Sequence, residues 1–441
     1  MKKRDVVSLV LLSFVFFAAI SVAKAGEGSK VEIAEDGTLV VNGQRKAIYG
    51  TFRDPSDDWR QFEGVRQAGF NLTHSYHFSN KFPKFDKPSV QDRFIRDARE
   101  YLDLAHANKV GVFMHLPKQA VTEGQVDAIA RVVEALKDKP ALWLWYIYDE
   151  PDVQEMDACQ KVYQRIKEVD PDHPVLLVDQ RADTLDIAGR ACDIIAIDKY
   201  TVPYGFHYIT DLTEKTRSKN PDKPIWMIHG AHAVQNLHLL RRHFVGSNFK
   251  QILKRVQLSS QTHRPNPKEL RALQHYSYTI GSPATIFYWL PKRLYDIAND
   301  TPKIWDAMVS IGQEFKELEP VLSSPLRSDD TEISSFVVEW LKQEAKRNHL
   351  DVRMWTRKYN GKTYVGVVNA SYVPHVVTTL KLPEKFSKVY QYPGRKLILD
   401  QNKDVDQQYN SQESDVLVVD WSSHELTCVL NECDTVVWEF E

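Results

Sequence analysis

The stretch Trp143-Leu144-Trp145-Tyr146-Ile147-Tyr148-Asp149-Glu150-Pro151 is a run of aromatic and branched side chains that ends abruptly in two carboxylates and a proline. Bulky aromatic and β-branched residues favour a strand. The proline closes it, because proline donates no backbone hydrogen bond and disfavours helix at the residue before it. Glu150 is therefore expected at the C-terminal lip of a strand, which in a parallel barrel is where the chemistry sits.

Working outward from this strand, short apolar runs alternate with segments of helical periodicity, the pattern of repeated βα units. Eight runs are expected to be strands: Lys46–Thr51, Asn71–Ser75, Val110–His115, Leu142–Tyr148, Val175–Val178, Ile194–Asp198, Ile225–His229 and Thr285–Trp289. Helices are expected over Val90–Asn108, Gln125–Lys137, Glu155–Val169, His207–Ser218 and Pro267–Ile280, with a last one over Pro302–Leu318. The fold class is thus α/β, a (β/α)8 TIM barrel spanning residues 46–322. Past Leu322 short alternating strands with turn residues such as Asn360-Gly361 predict a small antiparallel β-sandwich over 323–441. Ahead of the barrel, residues 26–45 predict a β-hairpin that borders or plugs its bottom.

Residues 1–25 stand apart. Lys2, Lys3 and Arg4 precede an apolar run, and Ala23-Lys24-Ala25 has the small-x-small form of a secretory cleavage site. The expectation is a signal peptide, a secreted or periplasmic protein, and no stable membrane insertion after cleavage. Without those 25 residues the chain carries 53 basic and 58 acidic residues, a net charge of −5, which offers no basic patch for nucleic acid. Cys428 and Cys433 flank an expected hairpin turn and are placed to pair across it in an oxidising compartment. The cysteines lack the close spacing of a zinc site, and no Gly-rich phosphate loop implies an organic cofactor.

Taken together, Asp36-Gly37-Thr38-Leu39-Val40-Val41-Asn42-Gly43, the strand ending in Asp149-Glu150-Pro151, Asp198-Lys199-Tyr200 after the sixth strand and Trp289 closing the eighth resemble a clan A glycoside hydrolase with a C-terminal β-sandwich. The resemblance covers roughly nine-tenths of the chain beyond residue 25. It implies that Glu150 is the acid/base residue, that Asp149 stands where the family usually has asparagine, that Tyr200 is an active-site tyrosine, and that Trp289 stacks on sugar. It also exposes a departure. The seventh strand ends Trp226-Met227-Ile228-His229-Gly230, with His229 where the family places its nucleophilic glutamate.

Glycoside hydrolysis needs one carboxylic acid to protonate the leaving oxygen and a second carboxylate to attack the sugar or activate water. Three readings follow. In the first, an O-glycosyl hydrolase acting on an oligo- or polysaccharide uses Glu150 as general acid and Asp198 as base, with inversion; Asp179 and Asp54 are lesser candidates for the base. In the second, His74, His77, His115, His229 and His232 converge on a divalent metal. In the third, the barrel binds glycan without cleaving it, through Tyr148, Tyr200, Tyr204, Tyr288 and Trp289. Substrate-binding candidates are Asp149, Tyr200, His229, Trp289, His115 and Arg53, with Lys118, Gln180 and Lys199 in similar positions. Trp143, Trp145 and Trp226 read as packing residues.

Overall fold

A computed structural model describes residues 28–52, 58–202, 205–231, 234–235, 262–263, 265–288, 302–326, 331–401 and 417–441. Eight parallel strands close into a barrel: β1 Ile48–Thr51, β2 Leu72–Thr73, β3 Gly111–His115, β4 Leu142–Asp149, β5 Val175–Asp179, β6 Ile194–Asp198, β7 Ile225–Gly230 and β8 Ala284–Tyr288. Each pairs with its sequence neighbours, and β8 returns to β1. The outer layer includes helices Pro88–Ala107, Val126–Leu136, Met156–Val169, His207–Lys219, Pro267–Thr279 and Pro302–Leu322. All eight expected strands and these six helices are present, with ends shifted by a few residues. No helix among the described residues is long and apolar enough to cross a membrane.

Alternation along each strand divides the core into two layers. Ile48, Leu72, Phe113, Leu144, Tyr146, Leu176, Val178, Ile194, Ala196, Trp226, Ile228, Ala284 and Ile286 fill the barrel interior. Their neighbours, among them Val112, Met114, Trp145, Leu177, Ile195, Ile197, Met227 and Phe287, face the helices. Trp145 and Trp226 are fully buried packing residues, and the Trp145 indole donates to Asp170 Oδ2 at 2.7 Å.

The segment before the barrel is three-stranded rather than a single hairpin. Val31–Ile33, Leu39–Val41 and Gln44–Lys46 pair in order, and Asn42-Gly43, both at positive φ, turn the chain between the last two. Val31, Leu39 and Val41 pack beneath the interior layer, so this sheet plugs the bottom of the barrel. A buried chain of hydrogen bonds anchors it. Asp170 Oδ2 contacts His173 Nδ1 at 2.8 Å, His173 Nε2 contacts Ser29 Oγ at 3.0 Å, and the Ser29 hydroxyl donates to the Leu142 carbonyl. The connectivity is that of a hydrolytic triad, but the hydroxyl is buried and spent on a carbonyl, so its work is to tie the chain down.

The C-terminal region is a sandwich of two antiparallel sheets. One has the order Glu332–Phe336, Val376–Lys381, Glu425–Leu430, Leu417–Trp421. The other has the order Val352–Tyr359, Lys362–Asn369, Thr435–Phe440, Lys388–Tyr392, Lys396–Asp400. Val365, Val367, Leu380, Leu426 and Trp438 are among the residues that fill the space between them. The expected Cys428–Cys433 pair does not form, and all four cysteines are buried free thiols. The physical reason is that Cys428 points into the sandwich core while Cys433 packs on the barrel side, near the Ser371 carbonyl.

The five-stranded sheet is fastened to the barrel by Arg271. Its guanidinium grips the buried Glu314 carboxylate with two bonds, of 2.7 and 2.6 Å, and also donates to the Thr435 carbonyl. Burial would raise the Glu314 carboxyl, but Arg271 and His275 overcome this and hold it well below the usual range. Arg271→Ala leaves that charge buried and unpaired, and it is expected to cost about 3–5 kcal/mol. Chemical denaturation measures this, and a loss below about 1 kcal/mol would show the clamp to be dispensable.

Candidate active site

The C-terminal ends of the strands bring three carboxylates together at one side of the barrel mouth. A bulge in β4 decides which of its residues take part. Tyr146 pairs with Leu176 and Tyr148 with Leu177, so Ile147 is an extra residue in the ladder. Ile147 and Tyr148 consequently both face the helices, and Asp149 is turned into the barrel. Tyr148, expected to offer a face to sugar, instead donates to Glu155 at 2.8 Å beneath the Lys118 ammonium. Glu150 follows at φ 53°, a left-handed conformation that costs a non-glycine residue of order 1 kcal/mol or more and is characteristic of functional sites. Its Oε1 accepts a bond of 2.6 Å from the Gln180 amide at the end of β5.

Asp198 ends β6 on the inward parity of Ile194 and Ala196. It is 5% exposed, with Tyr200 donating weakly to Oδ2 at 3.5 Å, while Oδ1 has no hydrogen-bond partner among the described residues. A buried carboxylate oxygen left without a partner is costly, so Oδ1 is free among the described residues to accept a hydrogen bond. Burial raises Asp198 well above the ordinary carboxylate range, and the negative charges of Glu150, Asp149 and Asp179 add to the rise. Burial also pushes Asp149 up to about 6; the phenols of Tyr146 and Tyr76 oppose the rise and Glu150 adds to it. Asp149 and Asp198 therefore both hold a proton more tightly than ordinary carboxyls, each through burial and the charge of its neighbours.

Rings surround these acids. Phe52, Phe113 and Tyr146 form a buried floor, with centroids 5.6–5.8 Å apart. His115 lies on Tyr146 at 4.0 Å, and His74 lies 5.7 Å from His115. At the partly exposed mouth Tyr76 donates to Asp149 Oδ2 at 3.3 Å, and Tyr200 stacks on Tyr288 at 5.8 Å. Burial keeps His115 far below its usual pKa, with His74 and Lys118 acting in the same direction, so its ring is neutral.

Other expected residues lie elsewhere. His229, taken as a rim residue in the nucleophile's place, has the parity of Ile225 and Met227 and faces the helix layer. There its Nε2 meets Ser277 Oγ at 2.8 Å, and burial lowers its pKa to about 3. The inward position at the end of β7 belongs to Gly230, which has no side chain. His77 also leaves the mouth, to pair with Asp97 beside Trp59. Of the described histidines, His74 and His115 stay together at the mouth while His77 and His229 leave it, and no group of three or more metal-ligating side chains occurs among the described residues. Asp179 is buried and committed to the backbone N–H groups of Gln180 and Arg181 and to Thr184. Arg53, Asp54, Tyr204, His232 and Trp289 lie outside the described residues.

The sequence matches no protein-family model and no curated protein. Solved structures do match. One, described as a glycoside hydrolase, aligns over 93% of this chain and 96% of its own at 12% identity, with a TM-score of 0.59. A family 5 glycoside hydrolase from Bacteroides vulgatus aligns over 93% of each chain at 13% identity, with a TM-score of 0.60. The chain shares the fold of these glycoside hydrolases. At such identity the likeness speaks for barrel and sandwich together, and the chemistry has to be argued from the mouth itself.

The burial of Asp149 makes the stability of the fold depend on pH. A carboxyl whose folded pKa is about 6, against 3.8 unfolded, holds its proton more tightly in the native state. Stability is therefore lost as pH rises from about 4 through about 6, by up to roughly 3 kcal/mol. Asp149→Asn does not titrate, so this part of the loss should vanish from its stability measured between pH 4 and 7. An identical pH profile for both proteins would mean that Asp149 is not desolvated as described.

Proposed function

We propose that the barrel is a glycoside hydrolase acting on an oligo- or polysaccharide outside the cytoplasm, with Glu150 as general acid and Asp198 as base. The observation that carries this reading is the meeting of Glu150 and Asp198 at the strand ends beside the partly exposed tyrosines Tyr200 and Tyr288. Two inter-strand spacings of about 4.8 Å separate β4 from β6. That span suits the separation of about 6.5–9.5 Å which leaves room for a water between the two carboxyls. Gly230 at the end of β7 offers no nucleophile, which favours inversion over a covalent intermediate.

In this mechanism Glu150, the more exposed acid, protonates the leaving oxygen. The Oδ1 of Asp198 takes a proton from the attacking water. Turnover ends with Asp198 protonated and Glu150 ionised, and proton exchange with water restores protonated Glu150 and ionised Asp198 before the next cycle. Tyr76, Tyr200 and Tyr288 offer ring faces and hydroxyls to the sugar, while Gln180 fixes the Glu150 side chain.

The bare Gly230 position also favours a second reading, a barrel that binds glycan without cutting it. Incubating the full chain with oligo- and polysaccharides and measuring new reducing ends separates the two. Release by the wild type that is absent from a Glu150→Gln, Asp198→Asn double variant is expected. Undiminished release by that variant would overturn the assignment, and binding with no release by the wild type would favour the second reading.

A further inference from the structure

We infer that Arg181 is a positioning residue for the proposed acid: it ties the chain that follows Glu150 to the end of β5 and so fixes where the Glu150 carboxyl stands. The inference deepens the hydrolase reading above and rests on it for the role of Glu150. The contacts themselves do not depend on that reading.

The bend at Glu150 has little else to hold it. Pairing of β4 with β5 ends where the Glu150 N–H donates to the Val178 carbonyl at 2.9 Å, since Pro151 has no N–H to continue it. The bulge at Ile147 has already broken the alternation that fixes side-chain direction along a strand. Glu150 itself is at φ 53°, a conformation that persists in a non-glycine residue only where its surroundings over-determine it. The bond from Gln180 fixes the tip of the side chain, not the backbone that carries it.

Arg181 supplies that second restraint. Its Nη2 donates to the Pro151 carbonyl, its Nη1 to Asp152 Oδ1 at 2.6 Å, and its Nε to Asp179 Oδ1 at 3.2 Å. The fully buried Asp179 also accepts from the backbone N–H groups of Gln180 and Arg181 and from the Thr184 hydroxyl. One carboxylate thereby orients both Gln180, which holds the acid's carboxyl, and Arg181, which holds its backbone. The circuit closes on the other side, where Glu155 accepts from the Asp152 N–H and from the Tyr148 hydroxyl, both at 2.8 Å. Tyr148 belongs to β4 and Asp179 to β5, so the bend at Glu150 lies inside a ring of hydrogen bonds anchored on two paired strands.

These contacts contribute position more than stability. The Asp152 side chain is 72% exposed and that of Arg181 35%, so their ion pair adds little to the stability of the fold. Without the guanidinium, Asp179 keeps its bonds from Gln180, Arg181 and Thr184, and its oxygens are not left without partners. Displacing the acid is a larger matter, since about 1 Å of misplacement can cost roughly 10²-fold in rate.

Hydrogen exchange and leaving-group kinetics on the full chain test this together, in Arg181→Met and in Asp152→Ala, a second variant at an exposed position that does not threaten the fold. Amide exchange in the peptide covering residues 149–156 should rise about ten-fold in Arg181→Met, with the melting temperature nearly unchanged. Hydrolysis is followed with methoxyphenyl and dinitrophenyl glycosides of glucose, galactose, xylose and mannose and of their disaccharides. Methoxyphenolate needs a proton to leave, and Arg181→Met should release it about 10–10² times more slowly, with the loss in kcat rather than KM. Dinitrophenolate needs none and should leave at nearly the wild-type rate. Asp152→Ala should show the same contrast at smaller size, and Arg181→Met should add nothing to the loss in Glu150→Gln. Unchanged exchange overturns the inference, as does a loss equal for the two leaving groups or one that adds to that of Glu150→Gln. Faster exchange in a protein whose wild type hydrolyses nothing would instead defeat the hydrolase reading and leave the hold on Glu150 standing.

Discussion

Glu150→Gln is expected to fold, to bind glycan as the wild type does, and to hydrolyse it about 10²–10⁴ times more slowly, the usual loss when a positioned proton donor is removed. The amide keeps the shape of the side chain, and its carbonyl can still accept the bond from Gln180. The strained backbone at φ 53° is unaffected because the exchange is isosteric. What disappears is the proton that the leaving oxygen needs. Steady-state kinetics should therefore show the loss in kcat, with KM little changed. Turnover within a few-fold of the wild type would remove Glu150 from the mechanism.

A comparable loss, again about 10²–10⁴-fold, is expected for Asp198→Asn, but with a different signature in pH. A base must be ionised to act, so activity that depends on Asp198 falls as pH drops through its pKa. Burial and three neighbouring acids raise that pKa, which places the acid limb higher than for an ordinary carboxylate. The residual activity of Asp198→Asn should lack this limb. In Asp149→Asn, which removes one of the repelling charges, the limb should move to lower pH. An acid limb that survives unchanged in Asp198→Asn would assign the base elsewhere.

Much of the barrel was legible because its signals are local. Apolar runs of strand length, helical periodicity between them and the stop at Pro151 each reflect a few neighbouring residues, and Glu150 and Asp198 lie at strand ends as those signals imply. The side-chain directions were harder to read. In β7 the parity that buries Trp226 and Ile228 in the barrel sends His229 to the helices, so a strand-end histidine that looks like a replacement nucleophile is a packing residue bonded to Ser277. Counting back from the tryptophan would have shown this. In β4 the same count fails, because the bulge at Ile147 inverts the parity and exchanges Tyr148 for Asp149. Nothing in an aromatic run marks which residue will be left out of the ladder.

In the sandwich, Glu332–Phe336, Lys388–Tyr392, Lys396–Asp400 and Glu425–Leu430 are not among the strands that the alternating pattern of Asp351–Thr356, Thr363–Val368, Val376–Leu382, Val416–Val419 and Thr435–Phe440 picks out. Glu332–Phe336 and Lys396–Asp400 are edge strands rich in polar or exposed residues, which pairing with a single neighbour defines more than composition does, whereas Lys388–Tyr392 and Glu425–Leu430 pair on both sides. Tyr76 and Tyr146 were missed as site residues for a related reason. The place of Tyr76 beside Asp149 comes from the closure of the barrel, which joins positions some seventy residues apart in the chain, and that of Tyr146 comes from the bulge that turns Asp149 to its inward side.

Glu150 and Asp198 are proposed to hydrolyse a glycosidic bond with a water between them and no nucleophile from β7. Recording the anomeric proton of the product by NMR in the first minutes after cleavage tests it most directly, before mutarotation mixes the forms. A product of inverted configuration is expected. A product of retained configuration would contradict it, since retention requires a covalent glycosyl-enzyme on a carboxylate about 5–5.5 Å from the acid.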